Sequence, residues 1–282
     1  MKDILLDAED GGYGVGAFNL LNMEAVQGAL EAAEELQSPL IMQLAEVQLP
    51  DTPIETMIPI MLNAADAASV PVAVNYDHGL TFDNTVKALQ YGCTSVMFDA
   101  GTYPFEENIR MCKEISLIAH AMGADFEAEL GVVGGAEGGE GNEASEDEAL
   151  LTNAGQAAEF VERTECDMLA VAIGNAHGPY TKKPNLRFDR LEEINNEVAV
   201  PLVLHGGSGI SDEDFRRAIA LGIRKINVFT AMRQCVGAKL EAMCRTEKPG
   251  SLTYPVFMKA LRDGVREEVA KHMKIFMSDG KA

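Results

Sequence analysis

The sequence predicts an α/β fold in which eight parallel strands alternate with eight helices and close into a (β/α)8 barrel, the TIM barrel. Short continuous apolar runs alternate with amphipathic stretches along most of the 282 residues. Such apolar runs suit strands that are buried on both faces of a parallel sheet. Single α/β barrels commonly reach about 250 residues. We therefore expect residues 1–282 to form one domain, and a doubly wound open sheet is the alternative fold.

The predicted strands share a short apolar core and are followed by a polar, chemically capable residue. They are residues 13–18, 39–44, 71–76, 94–98, 125–130, 167–173, 200–204 and 223–228. The helical patterns between and after them are residues 22–37, 53–69, 82–91, 105–122, 152–165, 188–198, 212–221 and 230–244. A further C-terminal helix is predicted at 255–277, where it could pack on the barrel or on a partner subunit.

The composition argues against several classes of partner. The chain has 23 basic and 44 acidic residues, a formal charge of −21, which repels nucleic acid and anionic membranes. No apolar run reaches the ~18 residues of a membrane helix, and the start MKDILLDAEDGG does not resemble a signal peptide. The five cysteines are scattered, as expected for reduced thiols. We expect a cytoplasmic protein that binds neither nucleic acid nor membranes.

The segment 131–150 stands outside the repeat because it holds six glycines and many acidic residues. One interpretation is a solvated, disordered loop. The other is a mobile lid after the fifth strand, since glycine also supplies hinges for lids.

Candidate functional residues lie where the predicted strands end, which is where barrel enzymes place their catalytic groups. In chain order these strand-end residues are Asn19, Glu46, Asp77, His78, Asp99, Glu127, Glu129, His177, His205 and Asn227. Three of the five histidines are among them. Three imidazoles with an open fourth position are typical of a catalytic zinc site, so the sequence predicts a metal at the barrel mouth. His120 and His272 lie in helical patterns, and we expect them at the surface.

Glycine follows each of the three histidines, and the run HGGSG (205–209) leads into a helix. Backbone amides at such a turn can hold a phosphate, although a tight strand-to-helix turn alone also needs glycine. Asp77 precedes His78 directly. It is a candidate base, and the alternative is a carboxylate that only orients a histidine.

These segments resemble the class II (zinc-dependent) fructose- and tagatose-bisphosphate aldolases. The resemblance runs in order from GAFN (16–19) through NYDHG, FEAELGVVGG, AIGNAHGPY and LVLHGGSGI to KINVFTAMR, ending near residue 233. It implies one zinc per subunit, a sodium or potassium ion near the phosphate, and a homodimer or homotetramer. The implied activity is reversible aldol cleavage of a phosphorylated ketose to dihydroxyacetone phosphate and an aldehyde.

The resemblance also implies roles for individual residues. The zinc ligands are His78, His177 and His205, with Glu129 holding the metal in an alternative position. The catalytic residues are Asp77, the lid residue Glu137, and Asn227, which holds the enediolate. The substrate-binding residues are Asn19, Gly178, Lys182, Gly206, Ser208, Phe229, Thr230 and Arg233, and the arginine reaches a neighbouring subunit's site.

The chain departs from the family's pattern around the substrate. Phe229 and Ala231 stand where the family has acids, and Ala45 replaces a phosphate-binding serine. Thr181-Lys182 stands where the family has Lys-Gly, so Lys182 would act from one position over. We therefore expect a substrate other than fructose 1,6-bisphosphate.

Two other functions are compatible with the residues alone. A metal-dependent barrel hydrolase or epimerase would use the same three histidines, and activity on simple esters or amides would indicate it. A non-catalytic aldolase relative would bind its ligand without turnover.

Overall fold

The computed structural model describes residues 1–135, 148–178, 184–248 and 250–282. Eight parallel strands pair in chain order, and β8 pairs with β1, which closes the predicted barrel and rules out the open sheet. The strands are β1 Val15–Asn19, β2 Leu40–Ala45, β3 Val72–Gly79, β4 Ser95–Phe98, β5 Asp125–Leu130, β6 Met168–Val171, β7 Leu202–Leu204 and β8 Ile223–Val228.

Every predicted helix is present in the structure, and one helix was not predicted. The helices are α1 Lys2–Gly11, α2 Met23–Leu36, α3 Ile54–Ala67, α4 Phe82–Gln90, α5 Phe105–Ala121, α6 Ala154–Thr164, α7 Phe188–Glu197, α8 Asp212–Ala220, α9 Thr230–Thr246 and α10 Tyr254–Ile275. The addition is α1, and α10 is the predicted C-terminal helix. Among the described residues, no helix combines the length and apolarity that a membrane crossing requires.

Helix α1 closes the end of the barrel at which the strands begin. Leu5 and Ala8 are fully buried and belong to the same apolar cluster as Val15, Ile41 and Val203 on the strands. That cluster fills the lower half of the barrel interior. Polar side chains occupy the interior at the opposite end, where the strands finish, and the candidate site lies there.

Helix α10 packs against α2 and against the barrel. Its His272 is only 4% exposed, and its ring centre lies 5.5 Å from that of Phe276 and 6.3 Å from that of Phe18. The expectation of a surface position was therefore wrong for His272, because it lies on the helix face that covers the barrel. It was right for His120, which is exposed.

The ends of the predicted lid 131–150 are held close together. The amide of Val132 donates to the carbonyl of Leu150 at 2.8 Å, and the amide of His177 donates to the carbonyl of Gly134 at 2.7 Å. The start of this segment therefore lies beside a candidate metal ligand. Glu137 and Lys182 lie outside the described residues.

Candidate active site and metal centre

Three histidines from different strand ends meet at the barrel mouth. His78 is the next-to-last residue of β3, His205 directly follows β7, and His177 lies beyond the end of β6. The Nε2 atom of His78 is 2.8 Å from the Nδ1 atom of His205. The ring centre of His177 lies 4.8 Å from that of His78 and 5.9 Å from that of His205. One nitrogen of each ring lies within 4.8 Å of the others, so the three could hold one ion.

Carboxylates occupy the outer nitrogens of two of these rings. Nδ1 of His78 lies 3.2 Å from Oδ2 of Asp99, and Nε2 of His205 lies 2.9 Å from Oε1 of Glu127. A carboxylate on the far side of an imidazole fixes its tautomer and orientation in metal sites. The nitrogens that remain, Nε2 of His78 and Nδ1 of His205, face each other.

Burial keeps the imidazoles in the form that a metal binds. Burial, with a contribution from neighbouring His78, lowers the pKa of His177 to about 3. The same two causes hold the pKa of His205 well below its ordinary value. Both rings are therefore neutral near pH 7, and a neutral imidazole is the metal-binding form.

Two buried oxygen atoms at the site have no hydrogen-bond partner among the described residues, which fits a site that binds a cation. They are Oε2 of Glu129 and Oδ1 of Asn227. Burial and the nearby charge of Asp99 raise the pKa of Glu129 well above its ordinary value. Glu129 also forms a second possible ligand group with His78 and Asp99. A set of imidazoles with a carboxylate nearby suits a zinc-like ion.

The backbone at His78 explains how two adjacent residues both face the site. Successive side chains of a strand point to opposite faces, so Asp77 facing inward would send His78 outward. His78 instead has a left-handed backbone conformation, with φ of 44°. The β3–β4 register shifts between Tyr76 and Gly79 at the same place. This distortion turns the imidazole back toward the barrel axis.

Glu46 holds the turn that follows His78. Its carboxylate accepts hydrogen bonds from the backbone amides of Leu80 at 2.7 Å and Thr81 at 3.1 Å. The Thr81 hydroxyl donates to it at 2.7 Å and the Asn84 amide at 2.9 Å. Glu46 was a strand-end candidate, but its carboxylate is used by these contacts. Its role in the structure is to fix the β3–α4 turn.

Asp77 is fully buried and held by side-chain amides. Asn19 donates to its Oδ2 at 3.0 Å and Gln43 to the same atom at 3.1 Å, while Asn227 donates to Oδ1 at 3.0 Å. Burial by itself would raise the pKa of Asp77. The neighbouring His78, then Lys225 and His205, and the hydrogen bond from Asn19 outweigh burial, so the pKa of Asp77 lies below the ordinary value. The side chain is therefore an ionised carboxylate held in one orientation.

A small cleft of about 20 Å³ opens beside the histidines. Its lining consists of Asn19, His177, Gly178, Gly206, Gly207, Ser208, Asn227, Phe229 and Thr230. Gly206 is required there, because it has φ of 66° and an added Cβ would lie 2.1 Å from the carbonyl oxygen of Ala176. The amide of Ala231, in the first turn of α9, donates to the Ser208 hydroxyl at 2.9 Å. Helix N-termini and glycine turns of this kind attract anions.

Phe229 and Arg233 lie at the edge of the cleft. Phe229 is half-buried just before α9, and Arg233 is exposed on the first turn of that helix. The guanidinium carbon of Arg233 lies 5.8 Å from the centre of the Phe229 ring, within the range of a cation–π contact. An apolar ring and a cation thus stand together beside the cleft.

The structure also brings in residues that the sequence interpretation did not select. Gln43 contacts Asp77, and Lys225 contacts Glu127 from inside the barrel. A polar residue inside a predicted strand was the available signal for both. Without the barrel geometry, that signal does not tell which face of the strand each occupies.

Comparison with known proteins agrees with this geometry. The chain matches the family model of class II fructose-bisphosphate aldolases over residues 1–281. It is 41% identical over 280 residues to YdjI of Escherichia coli K12, covering 98% of this chain and 96% of YdjI. The crystal structure of that YdjI aldolase superposes with a TM-score of 0.87 at 37% identity, covering 100% of this chain and 98% of the other.

Two further relatives carry names that specify substrates. The sulfofructosephosphate aldolase of Alkalicoccus urumqiensis is 37% identical over 281 residues, covering 100% of this chain and 97% of that protein. The fructose-bisphosphate aldolase of Thermus caldophilus is 40% identical over 303 residues, covering 99% and 98%. Together with the barrel and its histidine cluster, these matches show that the chain belongs to the class II fructose-bisphosphate aldolase family of carbon–carbon lyases.

Proposed function

We propose that this protein catalyses the reversible aldol cleavage of a phosphorylated ketose to dihydroxyacetone phosphate and an aldehyde. The observation that carries this proposal is the position of Asp77. A buried carboxylate is held by three side-chain amides next to the histidine cluster, and two of those amides, from Asn19 and Asn227, line the glycine-rich cleft that suits an anion. Cleavage of a phosphorylated ketose needs a base, a site for developing negative charge and a phosphate site in this proximity.

We assign one zinc ion per subunit to His78, His177 and His205, with Glu129 as a carboxylate ligand in an alternative position. When bound, the ion supplies Lewis-acid polarisation of the substrate's carbonyl oxygen. The protein contributes fixed imidazoles, since Asp99 and Glu127 occupy the outer nitrogens of two of the rings. A sodium or potassium ion near the phosphate is a further part of the proposal, from the family resemblance.

Asp77 is proposed to take the hydroxyl proton from the carbon that becomes the aldehyde. Its three amide partners fix the carboxylate before the substrate arrives, which avoids reorganisation during the reaction. Asn227 stands between Asp77 and His205, and we assign its side chain to the oxygens of the ketone half. Glu137 of the predicted lid is proposed to move the proton on the ketone half.

The phosphate is proposed to bind in the cleft through Gly178, Gly206, Ser208 and Thr230. The chain carries a charge of −21, so an anionic substrate needs a local site with positive potential. The first turn of α9 supplies part of it, because backbone amides and the helix dipole point toward the cleft. Asn19 lines the cleft as well and is proposed to contact the substrate.

The aldehyde half is proposed to differ from glyceraldehyde 3-phosphate. Phe229 replaces an acid at the cleft with an apolar ring, and Ala45 and Ala231 remove two more polar groups. A deoxy sugar, a different hydroxyl configuration or another terminal group would suit this wall. Arg233 and Lys182 could meet a sulfonate or carboxylate end, and a relative named sulfofructosephosphate aldolase is consistent with that choice.

We propose a homodimer or homotetramer, in which Arg233 completes the site of a neighbouring subunit. The exposed position of this arginine on α9 supports the proposal. Light scattering at assay concentration is expected to give at least a dimer. A fully active monomer would exclude the shared site.

The metal assignment predicts the effect of removing single histidines. His78→Ala, His177→Ala and His205→Ala should each lose nearly all zinc in elemental analysis, because catalytic zinc sites rely on three protein ligands. His120→Ala is the matched control, since His120 bonds to Asp167 and lies outside the cluster. Full turnover by a wild-type sample shown to be free of metal would reject the assignment.

The proton-transfer role predicts a specific defect in Asp77→Ala. This variant should keep its metal and lose about 10²–10⁴-fold in kcat, which is the usual contribution of a positioned acid–base group. Asp66→Ala, which changes an exposed carboxylate on α3, should behave as wild type. An Asp77→Ala enzyme within about threefold of wild type would place the base elsewhere.

The substrate assignment predicts a preference against fructose 1,6-bisphosphate. A substrate hydroxyl that faces Phe229 loses its water without gaining a partner, at about 1–3 kcal/mol, so kcat/KM should be at least about tenfold lower than on the true ketose phosphate. Phe229→Asp should narrow that gap, and Phe229→Leu should keep it. A panel of tagatose, deoxy and six-substituted analogues in which fructose 1,6-bisphosphate is the best substrate would contradict the role of Phe229.

A further inference from the structure

Lys225 is a fully buried lysine in the barrel interior. It lies on β8 two residues before Asn227, so it points to the same face about one layer deeper than the site, some 6–7 Å along the strand. Its ammonium nitrogen is 2.7 Å from Oε2 of Glu127, and both side chains have no exposed surface. A lysine is almost never buried completely unless it is paired. The burial of this ion pair therefore suggests that it has a function in the site above it.

The pair continues directly to a candidate metal ligand. Oε1 of Glu127, the second oxygen of the same carboxylate, lies 2.9 Å from Nε2 of His205. An ammonium group can only donate hydrogen bonds, and an ionised carboxylate can only accept them. With Lys225 donating to one oxygen, the other oxygen accepts a hydrogen from His205, and that hydrogen sits on Nε2.

The opposite side of His205 gives the same tautomer independently. The amide nitrogen of Asn227 is identified by its contact with the Asp77 carboxylate at 3.0 Å. That same nitrogen lies 3.0 Å from Nδ1 of His205. A donor at this distance requires Nδ1 to be the acceptor. Both neighbours therefore leave the lone pair of His205 on Nδ1, the nitrogen that faces His78.

We propose that Lys225 and Glu127 are positioning residues that fix His205 as an Nδ1 ligand of the active-site metal. Lys225 holds the Glu127 carboxylate in place, and Glu127 holds the Nε2–H of His205. The inference rests on the proposed metal centre. It also gives Lys225 a role other than a Schiff base with the ketone, because its ammonium is committed to Glu127.

Two substitutions test the inference through metal affinity. Glu127→Gln removes the charged acceptor at nearly constant shape, and Lys225→Met removes the ammonium and keeps the apolar stem. Each should raise the zinc dissociation constant by about 10–100-fold in chelator competition, the usual effect of losing a group that orients a ligand. The double variant should bind zinc as tightly as the more affected of the two single variants, because both residues act through one imidazole.

A second readout follows the tautomer itself. In the wild-type protein labelled with ¹⁵N-histidine, the His205 resonance should show hydrogen on Nε2 and none on Nδ1. In Glu127→Gln the signal should shift toward a mixture of the two tautomers, because an amide can donate as well as accept. A role confined to stability would leave this ratio unchanged.

Arg224→Met is the matched control on the same strand. Arg224 is almost fully buried and pairs with Glu9 at 2.6 Å, away from the histidines. Its loss should lower the melting temperature without changing zinc affinity by more than about threefold.

The outcomes separate the inference from the proposed function. A wild-type protein that binds no zinc rejects the metal centre and the inference together. Zinc binding with both variants within about threefold of wild type rejects the inference alone, as does hydrogen on Nδ1 of His205 in the wild type. If Lys225→Met does not fold, Glu127→Gln and the tautomer measurement decide. A borohydride-trapped adduct of dihydroxyacetone phosphate on Lys225 would also overturn it.

Discussion

Polar groups buried where the strands of this barrel end can be paired only with other groups inside the barrel. Asp77 takes three amides, Glu127 takes Lys225 and His205, and Asp99 takes His78. Leaving a buried charge without a partner costs several kcal/mol, so these side chains fix one another in place. The inward nitrogens of His78 and His205 meet at 2.8 Å, and one oxygen of Glu129 has no hydrogen-bond partner among the described residues. We propose that a cation binds at this point of the buried network.

Hydrogen bonds from neighbouring residues also explain the unusual backbone conformation of His78. A left-handed conformation in a residue other than glycine costs on the order of 1–3 kcal/mol and persists only where its surroundings enforce it. Here the Glu46 carboxylate holds the following turn through two backbone amides and two side chains. The strain places Asp77 and His78, adjacent in sequence, on the same site. One strand therefore supplies both the proposed base and a proposed metal ligand.

Much of the fold and the centre of the site could be predicted from the sequence, because buried parallel strands read as apolar runs and each run ends in a polar residue. The three histidines, Asp77 and Asn227 follow from that pattern. Helix α1 was missed because it precedes the first strand, outside the strand–helix alternation, and buries few apolar residues, chiefly Leu5 and Ala8. Three outcomes depend on which face of an element meets the barrel. They are the burial of His272, the bonding of Glu46 to the β3–α4 turn, and the pairing of Lys225 with Glu127. Spacing along the chain does not specify those contacts.

The central claim is that three imidazoles converge on one metal ion, with His205 presenting Nδ1. X-ray absorption spectroscopy of the zinc-loaded protein tests it most directly, because it reports the number and kind of atoms around the metal. The account predicts three nitrogen neighbours from imidazole at about 2.0–2.1 Å, with one or more oxygen neighbours completing the shell. A shell built only from oxygen, or one with a single imidazole, would contradict it.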